Sequence, residues 1–157
     1  MPMRFQLTSL IILLVSFCNV GNLQAQNFVF IDDNIADAAI TIQISDEVTF
    51  PDIKVVLGRD ISFEDFSVGI TPFKNQANYI ITKRAIDAQR AVKVANCDNF
   101  PDLSILVQEE IPFPDVRIEF RDNSSFVDIL IYTEKTTVSE QELIACLLPL
   151  IREKAQK

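Results

Sequence analysis

The chain has 157 residues, with 14 Lys+Arg against 22 Asp+Glu, a formal net charge of −8 and no histidine. That balance argues against a general nucleic-acid binder or an anionic-membrane binder, both of which need basic surface. The missing histidine removes Ser-His-Asp and Cys-His catalysis, the histidine zinc motifs and imidazole acid–base chemistry near neutral pH.

Residues 1–26 have the layout of a secretory signal peptide. Arg4 supplies the positive start, Leu10 to Cys18 is an apolar run too short to span a bilayer, and small and polar residues lead down to Ala25. Phe17 before Cys18 is too bulky for a lipobox, and a retained anchor is the alternative to cleavage. The expectation is export to the periplasm or the extracellular space. Removing this segment takes away one charged residue, Arg4, so 13 basic residues then face 22 acidic ones, a net charge of −9. No later segment is long and apolar enough to cross a membrane. What remains, from position 27 to position 157, suits one domain with a continuous core.

Asn27 to Ile31 reads as an edge strand or N-terminal cap. From there to about residue 136 one grammar governs the chain. Phe-x-Asp recurs as Phe50-Pro51-Asp52, Phe63-Glu64-Asp65, Phe100-Pro101-Asp102, Phe113-Pro114-Asp115 and Phe126-Val127-Asp128. The spacing is constant within each run, from Phe50 to Phe63 and from Phe100 through Phe113 to Phe126. After each aspartate the apolar positions alternate, as in Val116, Ile118 and Phe120, which predicts a strand with one buried face. Weaker copies start at Asp37, Asn78 and Gln89, giving about eight units over residues 37–133.

Before the aspartate the apolar residues alternate in the opposite phase. A chain that bends at the aspartate keeps both sets inside, and Pro51, Pro101 and Pro114 suit such a corner. The expected fold is therefore an all-β repeat protein, a thin β-solenoid of about eight 13-residue units, with the phenylalanines stacked as an internal ladder. An antiparallel meander sheet or small barrel plus helix is the alternative. Stacked aspartates about 5 Å apart would repel by roughly 0.8 kcal/mol in water. The expected offset is a backbone N–H donated to each carboxylate at its own bend, work that Asn78 can do without charge.

Residues 137–157 change character. Ser139-Glu140-Gln141-Glu142 reads as a capping box, and Leu143, Ile144, Leu147, Leu148 and Ile151 follow at helical spacing, with Pro149 expected to kink the last turns. The expected role of this helix is to cap the repeat stack; docking to a partner is the alternative.

Little in the chain carries chemistry. Gly21, Gly58 and Gly69 are the only glycines, too few for a phosphate loop, and every acid at a repeat position has a structural role. No catalytic residue, cofactor or metal site is assigned, and no enzyme is expected. Cys97 and Cys146 remain after export and are the candidate disulfide. A second acidic row, Asp46, Glu47, Asp60, Glu109, Glu110 and Asp122, lies in the turns, and Lys74, Lys83, Arg84, Arg90 and Lys93 form a basic stretch, a candidate docking surface. Two readings of function follow, a binding or structural module with a protein partner and a calcium-dependent module using its aspartate rows.

The units Phe113-Pro-Asp-Val-Arg-Ile-Glu-Phe-Arg-Asp122 and Phe126-Val-Asp-Ile-Leu-Ile-Tyr-Thr133 resemble those of a family of small bacterial proteins built from 13-residue strand repeats. The resemblance covers residues 37–133. Family units carry Ala-Asp where this chain often has Pro-Asp. What the resemblance implies is repeat architecture; the family's function is unknown and it brings no site.

Overall fold

The computed structural model describes residues 26–95, 100–122 and 125–157. Apart from Gln26, the expected signal peptide falls outside them, as does Cys97. Among the described residues there are nine strands: β1 (Asn27–Asp32), β2 (Ile40–Ser45), β3 (Ile53–Gly58), β4 (Phe66–Ile70), β5 (Tyr79–Thr82), β6 (Arg90–Val94), β7 (Leu103–Gln108), β8 (Val116–Arg121) and β9 (Ile129–Thr133). A helix follows, α1 (Glu140–Ala155). All eight expected units form strands, the degenerate ones at Asn78 and Gln89 included, and the segment from Asn27 supplies the ninth.

The strands are all parallel and close into a barrel in the order β1-β5-β9-β4-β8-β3-β7-β2-β6, with β6 pairing back to β1. Ladders take one of two sequence offsets, that of Ile53 with Ile105 or that of Val55 with Val116. Units adjacent in sequence therefore never pair, and the thin solenoid and the antiparallel meander are both corrected. The chain steps two places round the ring per unit, so the second circuit fills the gaps left by the first.

Parallel strands normally need long crossovers, yet these connections are short. The register shows why. Ile53, the first residue of β3, pairs with Ile105, which pairs with Ile44 near the end of β2. Phe66, the first of β4, pairs with Ile118, which pairs with Leu57 near the end of β3. Each strand starts level with the end of its predecessor, so the chain moves sideways like a screw thread and hardly returns.

That stagger makes the barrel wide. Going once round the ring, five ladders shift the register forward by the shorter offset and four shift it back by the longer one. The two do not cancel, and the barrel closes with a shear of about 16 residues. Nine strands with this shear give a backbone cylinder of radius about 11 Å, and inward side chains fill about 5 Å of it. A channel about 12 Å across remains, the diameter of an α-helix with its side chains.

The helix α1 occupies that channel. Leu143, Ile144, Ala145, Cys146, Leu147 and Leu148 are buried in unbroken succession, so the helix is covered on all sides. Those residues share one core with Val29, Ile42, Val55, Val68, Ile81, Val92, Ile105, Ile118 and Ile131 of the nine strands. The helix lies against β1, β2 and β6 on one side of the ring and against β8 on the other. Gln141 Nε2 donates to the Ile44 carbonyl near one barrel end, and Lys154 lies 3.7 Å from Asp65 at the other. The expected helix thus covers the apolar face, from within the barrel. Its capping box forms as read: Glu142 N–H donates to Ser139 Oγ, and Ser139 N–H to Glu142 Oε2. The helix runs through Pro149 to Ala155.

Candidate binding surface

The repeat aspartates extend the sheet. Asp52 N–H donates to the Ser104 carbonyl while Asp52 Oδ2 accepts the Ser104 N–H at 2.7 Å. The same reciprocal pair joins Asp65 to Arg117, Asp102 to Thr41, Asp115 to Lys54 and Asp128 to Ser67, with carboxylate contacts of 2.7–2.8 Å. Asn78 does the same to Leu130 through its amide oxygen. The partner always belongs to a strand four or five units away in sequence, which corrects the expectation of a bond at the aspartate's own bend. Ser67 and Ser104 add hydroxyl donors to Asp128 and Asp52, a contribution the sequence reading missed.

Backbone donation from Ser104 and Ser67 holds the Asp52 and Asp128 carboxyls below the usual aspartate range. A depressed folded-state pKa contributes stability above the unfolded value and loses it as pH falls through the folded one. Stability should therefore drop as pH falls below about 4, and an Asp52→Asn, Asp128→Asn double variant should lose less over that range in acid-denaturation curves. Asp128→Ala orphans the Ser67 N–H and should cost about 1–3 kcal/mol at pH 7.

The phenylalanines are where the sequence expectation fails. Phe50, Phe63, Phe100, Phe113 and Phe126 are between 90% and 104% exposed. They form no internal ladder, whereas Phe66, which follows the aspartate, is 6% exposed and enters the core. Phe63, Phe113 and Phe126 also have φ of 60°, 55° and 60°. That is left-handed backbone which turns usually give to Gly or Asn, and it costs a bulky side chain about 1–2 kcal/mol. Strain and apolar exposure at the same residues both oppose folding alone.

The topology gathers these rings. They precede β3, β4, β7, β8 and β9, which are contiguous in the ring as β9-β4-β8-β3-β7. Five neighbouring strand starts span on the order of 20 Å. The equivalent positions before β5 and β6 hold Gln76 and Asp87, so the aromatic row occupies one side of the barrel. Arg121 ties two of its turns together, donating to the Phe126 carbonyl at 2.6 Å and pairing with Glu64 at 3.4 Å and with Glu119.

A groove of about 680 Å³ opens between the turn after β3, the end of β7 and the start of α1, and none of the five phenylalanines lines it. Leu57, Ile61, Phe120 and Leu143 contribute apolar lining, and Asp60, Glu109, Glu110 and Glu140 contribute carboxylates. The cation lining it, Arg59, is paired with Asp122 at 2.7 Å. Phe63 follows Ser62 of this lining, and Phe113 lies shortly beyond Glu110.

Of the basic stretch, Lys74, Lys83 and Arg84 line one surface pocket together with Phe28, Asp87 and Glu134. Lys83 pairs with Glu134, Arg84 with Asp87, Lys74 sits 5.3 Å over the Phe28 ring, and Arg90 buries its Nη1. Cys146 is a buried thiol on α1, its pKa pushed up to about 12 by burial; its candidate partner Cys97 lies outside the described residues. Among the described residues no three Asp, Glu or Cys groups converge as metal ligands, and no helix is long and apolar enough to cross a membrane. No family model matches the chain, and no curated protein or solved structure matches it either.

Proposed function

We propose that this chain is an exported, non-catalytic binding module that grips a basic protein partner with its row of phenylalanines. The carrying observation is that five equivalent rings stand exposed on contiguous strands, three of them on strained backbone. A phenylalanine covers about 150–250 Å² when buried, so five supply roughly 750–1,250 Å². One side of a standard protein interface needs about 800 Å². The acidic groove at the turn after β3, which Ser62 joins in sequence to Phe63, gives the partner its sign: Lys or Arg side chains lay their stems on Ile61 and Phe120 and their charges against Asp60, Glu109 and Glu110. A second copy of this acidic chain would bring like charges together.

The test uses an amphipathic peptide of alternating Lys and Leu, an acidic Glu/Leu counterpart, phosphatidylcholine vesicles and sedimentation of the protein alone. The expected result is binding of the Lys/Leu peptide only, weakened by salt and lost in a Phe63→Asn, Phe113→Asn, Phe126→Asn variant. Unchanged binding by the variant, a preference for vesicles, or self-association instead would overturn the reading. A calcium-dependent module would behave differently, with a thermal midpoint raised by Ca²⁺ and lowered by chelator. Carboxylates already committed to strand N–H groups predict no shift.

A further inference from the structure

Arg90 opens β6 with a charge turned inward. It alternates with Val92 and Val94 on the inner face and pairs with the core residue Val29. Its Nη1 is buried and has no hydrogen-bond partner. Leaving one guanidinium N–H buried without an acceptor is unfavourable. The neighbours that feel the Arg90 charge cannot neutralise it: burial holds the Tyr79 phenol and the Cys146 thiol in their neutral forms.

Arg90 lines a pocket of about 250 Å³ together with Arg152, Ala39, Ile40, Leu148 and Pro149. Two arginines and four apolar residues line this space, and no carboxylate is among the lining residues. On a chain whose 22 acidic residues outnumber its 14 basic ones, that is an unexpected concentration of unneutralised positive charge. A planar guanidinium matches the two oxygens of a carboxylate or phosphate, and a second one beside it completes the clamp.

We infer that this pocket is a site for a small oxyanion, carboxylate or phosphate, carrying a short apolar group that lies against Ile40, Leu148 and Pro149. Half-buried Arg90 supplies the inner charge and exposed Arg152 the outer one. The site is on the inner wall and α1, apart from the aromatic row, and does not depend on the binding proposal above.

The experiment measures thermal midpoints of the full chain at fixed ionic strength with chloride, phosphate, acetate or butyrate. Phosphate, acetate and butyrate should raise the midpoint saturably and chloride should not, with butyrate binding more tightly than acetate. Because Arg152 is exposed, R152Q should fold normally while weakening each anion at least about tenfold, the loss expected for one charge-assisted hydrogen bond. R90Q should abolish the shift whatever it does to the starting midpoint. No saturable shift in the native protein, or a shift that R152Q and R90Q leave at its native size, overturns the site. Equal affinity for butyrate and acetate overturns the apolar wall.

Discussion

Replacing Phe63, Phe113 and Phe126 together by asparagine should stabilise the fold by about 3 kcal/mol, about 1 kcal/mol at each position. Losing large apolar side chains normally destabilises a protein, so the sign is the informative part. These rings contact solvent, and deleting them opens no cavity. Their φ values of 55–60° belong to a conformation that asparagine adopts with little strain. The gain should appear as a higher denaturant midpoint with an unchanged slope. A destabilised triple variant would mean that the rings are packed in the folded state. If the fold gains stability while peptide binding disappears, the strain is maintained for recognition.

The second large effect concerns the plug. A chain ending at residue 137 should lack a cooperative unfolding transition and should bind a hydrophobic dye, because the inner faces of nine strands would line an empty channel. Point variants should grade the effect. Ile144→Ala and Leu147→Ala, both fully buried, should each cost about 2–5 kcal/mol, and the pair should consume most of a typical stability of about 5–15 kcal/mol. An exposed control, Arg152→Ala, should change little. A truncated chain that melts at the full-length midpoint would place the helix outside the core.

Much of the construction was legible in the sequence. Alternation after each marker located eight strands, among them the degenerate units at Asn78 and Gln89, and the Ser139–Glu142 capping box located the start of the helix. The pairing was not legible, because a 13-residue period looks the same whether units pair with their neighbours or with units four and five further on. The deciding signal was in the helix. Leu143-Ile144-Ala145-Cys146-Leu147-Leu148 is apolar on all sides, which an external cap does not need and a plug does. Ser67 and Ser104 were a weaker clue, since each sits four or five units from the aspartate it serves.

The exposure of the phenylalanines runs against the sequence expectation for a physical reason. Hydrophobicity predicts burial on average, and a position that is apolar in every strong unit looks like core. Phase was the better guide. The apolar set before the aspartate is out of register with the set after it, so one of the two had to face outward unless the chain folded back. Val48, Ile61 and Ile111 remain half-buried under the turns, and the phenylalanines two positions later do not.

The most direct test of an outward aromatic row is hydroxyl-radical footprinting of the native protein, read residue by residue by mass spectrometry. Phe50, Phe63, Phe100, Phe113 and Phe126 should be oxidised at rates close to those in the unfolded chain, while Phe66, in the same protein, stays protected. Protection of all five alongside Phe66 would return them to the core as an internal ladder and contradict the outward-facing barrel.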